Sequence, residues 1–529
     1  MRTLSSLVEG KERVFLALLV SFVASAAAVA LYLHNPYSFL FFGDAASHIV
    51  KAREFTDSHG LWFHYLGTVW LPLPHLLLVP FVACNALFFS GIAAPLVGIP
   101  CLVGTCLLLN AIVLKVTGSH TASLLSACLF GLNPNVIYMA LTPMNEPSLL
   151  FFVTLGGYAF LRWMESDSLR WMLAAGAAVM LASLCRYEAW PLVPYVIVAG
   201  AYETHAAPGP SAPWTWLRVL MLAAVSSAGL LFWGWWNLIE FGSPLAFAQG
   251  TYSVIPDAFR ESPQGRIWHI LFTFGRAILI VFGPILLLLS VYALRRLRGP
   301  GIHRRTVIML VYFALPILFI LASVLAGYVG IDEWWWNWRY VLTLGLFLAL
   351  AGGIGLARLA SWIRSPMARG IVVSGLLATP ALQLSLPFIG VATYNDAAKC
   401  MLGPTPSAIA VGREIRELDA GGSIALLMAH GQAQRIMVSS WIPLSRFDVV
   451  PDPGESSGVD TLLASEQMIV IGAEQTPESA PDILYWNAQR GNLLRSFGIC
   501  RQDPYFILLR RSPPPVMNDS AAAVSPWRR

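Results

Sequence analysis

Uninterrupted apolar stretches of about 20 residues recur along most of the chain, and each is long enough to cross about 30 Å of hydrocarbon. Residues 14–33 form the first, without a charge among them. In lipid such a segment must satisfy its backbone groups internally, so it folds as a helix. The chain is therefore read as a polytopic α-helical membrane protein. Composition agrees: of 529 residues, 57% are hydrophobic and 12% charged, with a mean hydropathy of +0.64. Soluble domains carry about 25% charged residues. That deficit excludes a soluble enzyme, a disordered protein and a nucleic-acid binder. The net charge of +5 is modest, and its placement says more than its size.

Arg2, Lys11 and Arg13 precede the first apolar run, which puts the N-terminus in the cytoplasm by the positive-inside rule. No cleavable signal is expected, because that run is too long and lacks a small-residue exit. Later basic clusters lie at Lys115, at Arg162 with Arg170, at Arg295–Arg305 and at Arg358–Arg369. If 71–90 crossed the membrane, all of these would fall outside. If it lies in the interface or re-enters, they all fall inside. Pro72, Pro74 and Pro80 also argue against a plain helix there. The expected spans are then 14–33, 92–114, 120–139, 148–163, 171–185, 189–203, 215–238, 269–294, 306–326, 340–358 and 370–390, about eleven in all. The first outer loop runs from about 34 to 91, and the membrane domain covers 1–390.

From 391 the composition becomes that of a soluble α/β domain, ending near 511, on the outer side. A helix follows Thr405-Pro406, with Thr405 as cap and Gly421-Gly422 at its exit. GSIALLMA, QMIVIG and YFILLRR read as strands, and 480–495 as a helix. Residues 512–529 read as a disordered tail. Cys84, Cys101, Cys106, Cys128 and Cys185 lie in apolar segments and read as buried thiols. If the C-terminal domain is extracytoplasmic, Cys400 and Cys500 are available for a disulfide.

Charges beside a membrane are costly and call for a functional hypothesis. Asp44 follows Gly43 and can cap the next helix, on which Asp44, His48 and Lys51 share one face. Glu146 stands near Pro143 and Pro147 at the outer end of a span. Arg186 and Glu188 stand at another outer end, and Arg339-Tyr340 at a third, after Trp334-Trp335-Trp336. Each has an ordinary alternative: a cap, a solvated loop carboxylate, or an interfacial side chain. Together they describe one outward cavity. A carboxylate there can take a proton from a hydroxyl, and arginines can hold a phosphate. That combination suits sugar transfer from a lipid phosphate.

This layout resembles the GT-C superfamily of membrane glycosyltransferases, in particular the protein O-mannosyltransferase-like branch (glycosyltransferase family 39) and the lipid A aminoarabinose transferases. Gly43-Asp44 matches the acidic motif after the first span, Glu146 the second acidic position, and Arg339-Tyr340 the pair opening a late span. Residues 67–78, 132–147 and 185–192 look similar to prokaryotic family-39-like members. The resemblance implies an inverting transfer of mannose or a related hexose from a polyprenyl-phosphate donor to an acceptor hydroxyl, at the outer face of a prokaryotic plasma membrane. It implies Asp44 as base and Arg339 with Tyr340 at the donor phosphate. Glu146, His48, Lys51, Arg186 and Glu188 would line the acceptor or donor site. It leaves a divalent cation open, and it leaves the acceptor a protein, lipid or glycan. There are departures. Asp44-Ala45 stands where an Asp-Glu doublet is common. Pro72-Leu73-Pro74-His75 lacks the lysine of the aminoarabinose transferases, with His75 or Arg186 as substitutes. The competing classes are a lipid or solute transporter, against which the lack of an internal repeat counts, and a non-catalytic membrane scaffold.

Overall fold

The computed structural model describes residues 2–57, 66–67, 69–206, 212–248, 263–296, 304–326, 329, 337–385, 391–419, 421–428, 430–450, 465–473 and 480–512. The tryptophan-rich stretch at 334–336 and the tail at 513–529 lie outside these residues. The chain divides into two compact units, residues 1–400 and 401–529.

The first unit is helical. α1 (Arg2–His34) is followed by α2 (Gly43–Asp57), α3 (Leu73–Val82) and α4 (Asn85–Phe89). Then come α5 (Ala93–Thr117), α6 (His120–Gly131), α7 (Pro134–Ala140), α8 (Glu146–Ser166), α9 (Leu169–Ser183) and α10 (Leu192–Ala206). α11 (Ala212–Phe241), α12 (Pro263–Arg296), α13 (Arg304–Ala326), α14 (Leu344–Trp362), α15 (Pro366–Ser385) and α16 (Ala392–Lys399) complete it. A 3-10 turn, Trp338–Thr343, leads into α14.

Among the described residues, seven helical segments are long and apolar enough to cross a membrane, or eight if α6 and α7, bent by 62°, are one span. The expected count of eleven is not reached on length and composition. α9 and α10 have 15 residues each, or about 23 Å of rise, short of the hydrocarbon thickness. α8 has 21 residues, but Glu146, Arg162 and Glu165 at its ends dilute its apolar middle. The proline-rich stretch at 71–90 breaks into α3 and α4, neither long enough to cross.

Charged side chains gather at the two ends of the bundle. At one, Lys115 pairs with Glu165, Arg218 with Asp167, and Arg304 with Glu203. The other end holds the C-terminus of α1, the N-terminus of α8 and the turn before α14. Between them the helices approach closely. A Cβ on Gly98 of α5 would collide with the Ala140 carbonyl of α7, and one on Gly355 of α14 with the Leu289 carbonyl of α12. α12 breaks at Gly283 (φ 70, ψ 171), which precedes Pro284. The carbonyl of Val281 freed there accepts from Asn133, Asn135 and Gln383 side chains at 2.8–3.1 Å. A freed backbone group in the bundle is thus paired by amides from neighbouring helices, as lipid requires.

The second unit is a five-stranded sheet with helices. α17 (Thr405–Leu418), β1 (Ile424–Leu427), α18 (His430–Ser440), β2 (Phe447–Val450), β3 (Met468–Gly472), α19 (Ala480–Ser496), β4 (Phe497–Gln502) and β5 (Phe506–Arg511) follow in order. The strand order is β2-β1-β3-β5-β4. β1 pairs parallel with β2 and β3, and β5 pairs antiparallel with β3 and β4. The three strands expected from sequence are the central ones. The two unexpected strands are the edges, where burial is incomplete and the apolar run is short. α17 begins one residue early: Thr405 is its first residue and Pro404 the cap. Cys400 and Cys500 are free thiols, and Cys84, expected buried, is exposed at the kink before α4.

Candidate active site

Phe39–Phe42 and Ser38 are buried where α1 ends, and the Tyr138 hydroxyl donates to the Ser38 carbonyl at 3.0 Å. This fixes the exit from α1 and the start of α2. Asp44 lies in the first turn of α2, not at its cap as expected, because the helix already begins at Gly43. Its Oδ2 accepts from Arg339 Nη2 at 2.8 Å.

Arg339 is the hub. Its side chain is 8% exposed. Besides Asp44, its Nε lies 3.8 Å from Glu146 Oε1, and its Nη1 faces Met144 Sδ at 3.6 Å. The guanidinium also lies over the rings of Phe42 and Tyr340, at 5.4 and 5.3 Å. Glu146 opens α8, where the helix dipole favours an acid. Its other partner is Arg186, with Nη1 to Oε1 at 3.1 Å. Arg186 Nε donates in turn to Glu188 Oε1 at 2.7 Å. The Arg186 guanidinium lies over the other approach to Tyr340, 5.2 Å from the ring centre.

Six of the eight sequence candidates therefore form one continuous array: Asp44, Arg339, Tyr340, Glu146, Arg186 and Glu188. Three carboxylates face two guanidiniums. Buried ion pairs of this kind must be well satisfied to persist, yet Arg339 Nε, Glu146 Oε2 and Asn145 Oδ1 are buried with no hydrogen-bond partner among the described residues. Such atoms call for a partner from outside the chain, a water or a ligand.

The remaining two candidates go elsewhere. His48 is fully buried and its Nδ1 lies 2.8 Å from His75 Nε2 of α3, with Trp70 against its ring. Burial lowers the pKa of both imidazoles, helped at His48 by Arg339 and Arg186 and at His75 by His48 and Lys51. Lys51 pairs with Glu54 on its own helix at 2.9 Å. The face shared by Asp44, His48 and Lys51 is thus not a single site surface. Arg53 of α2, meanwhile, clamps α3 and α4: it donates to the Val82 carbonyl and to Asn85, and pairs with Asp57.

Sequence reasoning missed Asp396 of α16. It is 6% exposed and accepts from the Trp338 amide at 3.2 Å. Its sequence surroundings are those of an ordinary soluble helix, so nothing marked it.

Among the described residues, no three His, Cys, Asp or Glu side chains are arranged to hold a metal ion. Asp44 and Glu146 each face a guanidinium instead. With each carboxylate already facing a guanidinium, this donor set does not fit a resident cation.

A crystal structure of ArnT from Cupriavidus metallidurans in the apo state matches over 92% of this chain and 97% of its own, with a TM-score of 0.53 and 14% identity. The chain shares the overall fold of that structure. The S. cerevisiae protein O-mannosyltransferase Pmt1-Pmt2 complex bound to the sugar donor is a more distant likeness. It covers 49% of this chain and 36% of its own, with a TM-score of 0.31 and 16% identity. No protein-family model matches the chain, and no curated protein matches it in sequence. At this identity the likeness is one of fold. What the charged array does is a matter of its own chemistry.

Proposed function

We propose that the protein is an inverting glycosyltransferase that moves a sugar, mannose or a related hexose, from a polyprenyl-phosphate donor to an acceptor hydroxyl. The observation that carries this is the Asp44–Arg339 pair at 2.8 Å, backed by Glu146 and Arg186, on a GT-C fold. Asp44 and Arg339 neutralise one another at 2.8 Å. A donor phosphate is a better partner for a guanidinium fork than a single carboxylate oxygen. Its arrival takes over Arg339 and releases Asp44, whose side chain is 41% exposed, to an incoming hydroxyl.

The acceptor oxygen then attacks the anomeric carbon as the bond from that carbon to the phosphate oxygen breaks. Asp44 takes the hydroxyl proton, and the electron pair leaves with polyprenyl phosphate. One displacement inverts the anomeric centre. Arg339, with Arg186 behind Glu146, stabilises the charge gathering on the leaving phosphate. Glu188 and Glu146 hold Arg186 in place, and Tyr340 offers its ring to both guanidiniums. Basic residues cluster at the far end of the bundle, which supports an extracytoplasmic site under the positive-inside rule. The acceptor class, protein, lipid or glycan, is set by parts of the cavity that the charged array does not define.

The test is turnover. Purified protein in lipid, given a panel of labelled polyprenyl-phosphate sugars and a membrane extract as acceptor, is expected to transfer one of them, with product of inverted anomeric configuration by NMR. Retention of configuration, or no turnover of any donor by folded protein, contradicts the proposal.

A further inference from the structure

Behind Arg339 lies a carboxylate that the reaction above does not use. α16 is held at two points, on elements far apart in sequence. At one, the Thr393 amide and hydroxyl both donate to Asn135 Oδ1 of α7, at 2.9 and 3.2 Å. At the other, Asp396 Oδ2 accepts from the Trp338 amide. That amide follows Asn337, whose φ of 35 and ψ of 38 are left-handed, a conformation with a cost for a residue bearing a Cβ. The backbone turns sharply here, and Asp396 takes the first amide after the turn. The Trp338 indole is also covered by Arg276 of α12, 5.9 Å away.

We propose that Asp396 is a positioning residue for Arg339: it fixes the turn from which Arg339 reaches Asp44 and Glu146, and its charge sets how much of the Arg339 cation is left for an anionic ligand. The second part rests on the proposed function. A buried acid needs such a reason to persist, since an isolated charge in an apolar setting is expensive. The groups that face Asp396 are Arg339 from the turn, Tyr138 from α7 with Tyr394 against its ring, and Lys399 and Cys400 along its own helix, while Arg276 of α12 reaches the same turn through Trp338. Burial pushes its carboxyl up to about 7, with Arg339, the Trp338 amide and Lys399 pulling the other way. Near neutrality the carboxyl therefore passes between two states. Ionised, it adds a negative charge within Coulombic reach of Arg339 and weakens the field that an anionic ligand meets there. Neutral, it still accepts from the Trp338 amide and leaves the guanidinium charge free. His48 and His75 are held below their usual value, so the pair stays neutral across the same range.

The test uses full-length protein in nanodiscs as wild type, Asp396→Asn and Asp396→Ala. Hydrogen exchange reads the turn without any ligand. In the Ala variant the Trp338 amide is expected to exchange at least about tenfold faster, and in the Asn variant, which keeps a carbonyl acceptor, within about threefold of wild type. Equal protection in the Ala variant and wild type overturns the positioning role. Binding of a polyprenyl methyl phosphodiester, which loses no proton between pH 6 and 8, reads the charge. Wild type is expected to bind it about fivefold or more tightly at pH 6 than at pH 8. The Asn variant is expected to bind at both pH values as wild type does at pH 6. The same pH dependence in both proteins overturns the charge role. If wild type does not bind the diester at any pH, the polyprenyl-phosphate reading and the charge role fall together, while the exchange result still decides the positioning role.

Discussion

Asp44 and Arg339 stand 295 residues apart in sequence and 2.8 Å apart in space. One belongs to the first turn of α2 and the other to the turn before α14, so elements from the start and the close of the membrane unit's sequence meet in this one contact. The guanidinium reaches Asp44 through Nη2 while Nε faces Glu146. A lysine offers a single point charge and cannot serve both. Arg339→Lys is therefore expected to raise the donor KM about tenfold or more and to lower kcat by a smaller factor, measured by initial rates over a donor series. An unchanged KM with a fallen kcat would remove Arg339 from donor binding.

Arg186 supports the array from behind. Glu146 is 2% exposed and depends on Arg186 for its close contact. Removing one partner of a buried pair leaves the other charged and unpaired, at a cost of about 3–5 kcal/mol. Arg186→Met is expected to lower stability by about that amount in thermal unfolding. The triple variant Glu146→Gln/Arg186→Met/Glu188→Gln, which neutralises both carboxylates that Arg186 pairs with, is expected to recover most of it without recovering transfer. A triple variant no more stable than the single one would show that the loss lies in packing and not in charge.

Two glycines are constrained for opposite reasons. Gly98 has helical backbone, but a Cβ there meets the Ala140 carbonyl. Gly283 has open space around its Cβ position, but a φ of 70 with ψ of 171, a region essentially reserved for glycine. Each to alanine is expected to cost about 1–3 kcal/mol, by overpacking at Gly98 and by backbone strain at Gly283. Trimming Ala140 to glycine leaves the clashing carbonyl in place, so it is expected not to rescue Gly98→Ala. Chemical denaturation in detergent reads both, and a rescue would point to side-chain crowding instead.

The histidine pair gives the membrane unit an acid sensitivity. Burial lowers the folded pKa of both His48 and His75, so below about 6.5 the unfolded chain takes up protons that the folded one does not. Stability contributed by the pair is complete above that value and is lost as pH falls through it. Asp396 acts in the reverse sense: its raised pKa makes stability fall as pH rises toward about 7. The two are separated by comparing wild type with His75→Gln at pH 7 and pH 5. The variant is expected to lose about half as much Tm on acidification, since one of the two protonations is gone. An equal loss in both would place the sensitivity outside the pair.

Much of the site was legible because each part sits at the end of an apolar run. Asp44, Glu146, Arg186, Glu188 and Arg339 are charges that hydropathy leaves stranded at helix ends, and helix direction brings those ends together. Distances within α2 were less legible. Its helical period put His48 and Lys51 on the Asp44 face, but period does not say what packs there, and α3 covers His48 with His75. Asp396 left no trace because its role depends on the Trp338 amide, a backbone group that sequence does not mark. The edge strands β2 and β4 escaped for a related reason: Asp448 and Arg501 interrupt them, whereas β1, β3 and β5 each carry an unbroken apolar run.

The central claim is that Asp44 accepts the proton of the attacking hydroxyl. With the donor that wild type uses, single-turnover transfer by Asp44→Asn is the most direct measurement, since asparagine keeps the size and a hydrogen bond but cannot take a proton. The account predicts a fall of about 100-fold or more in the transfer step, with donor binding kept or tightened because Arg339 loses its competing carboxylate. Transfer at the wild-type rate by the folded variant would contradict it.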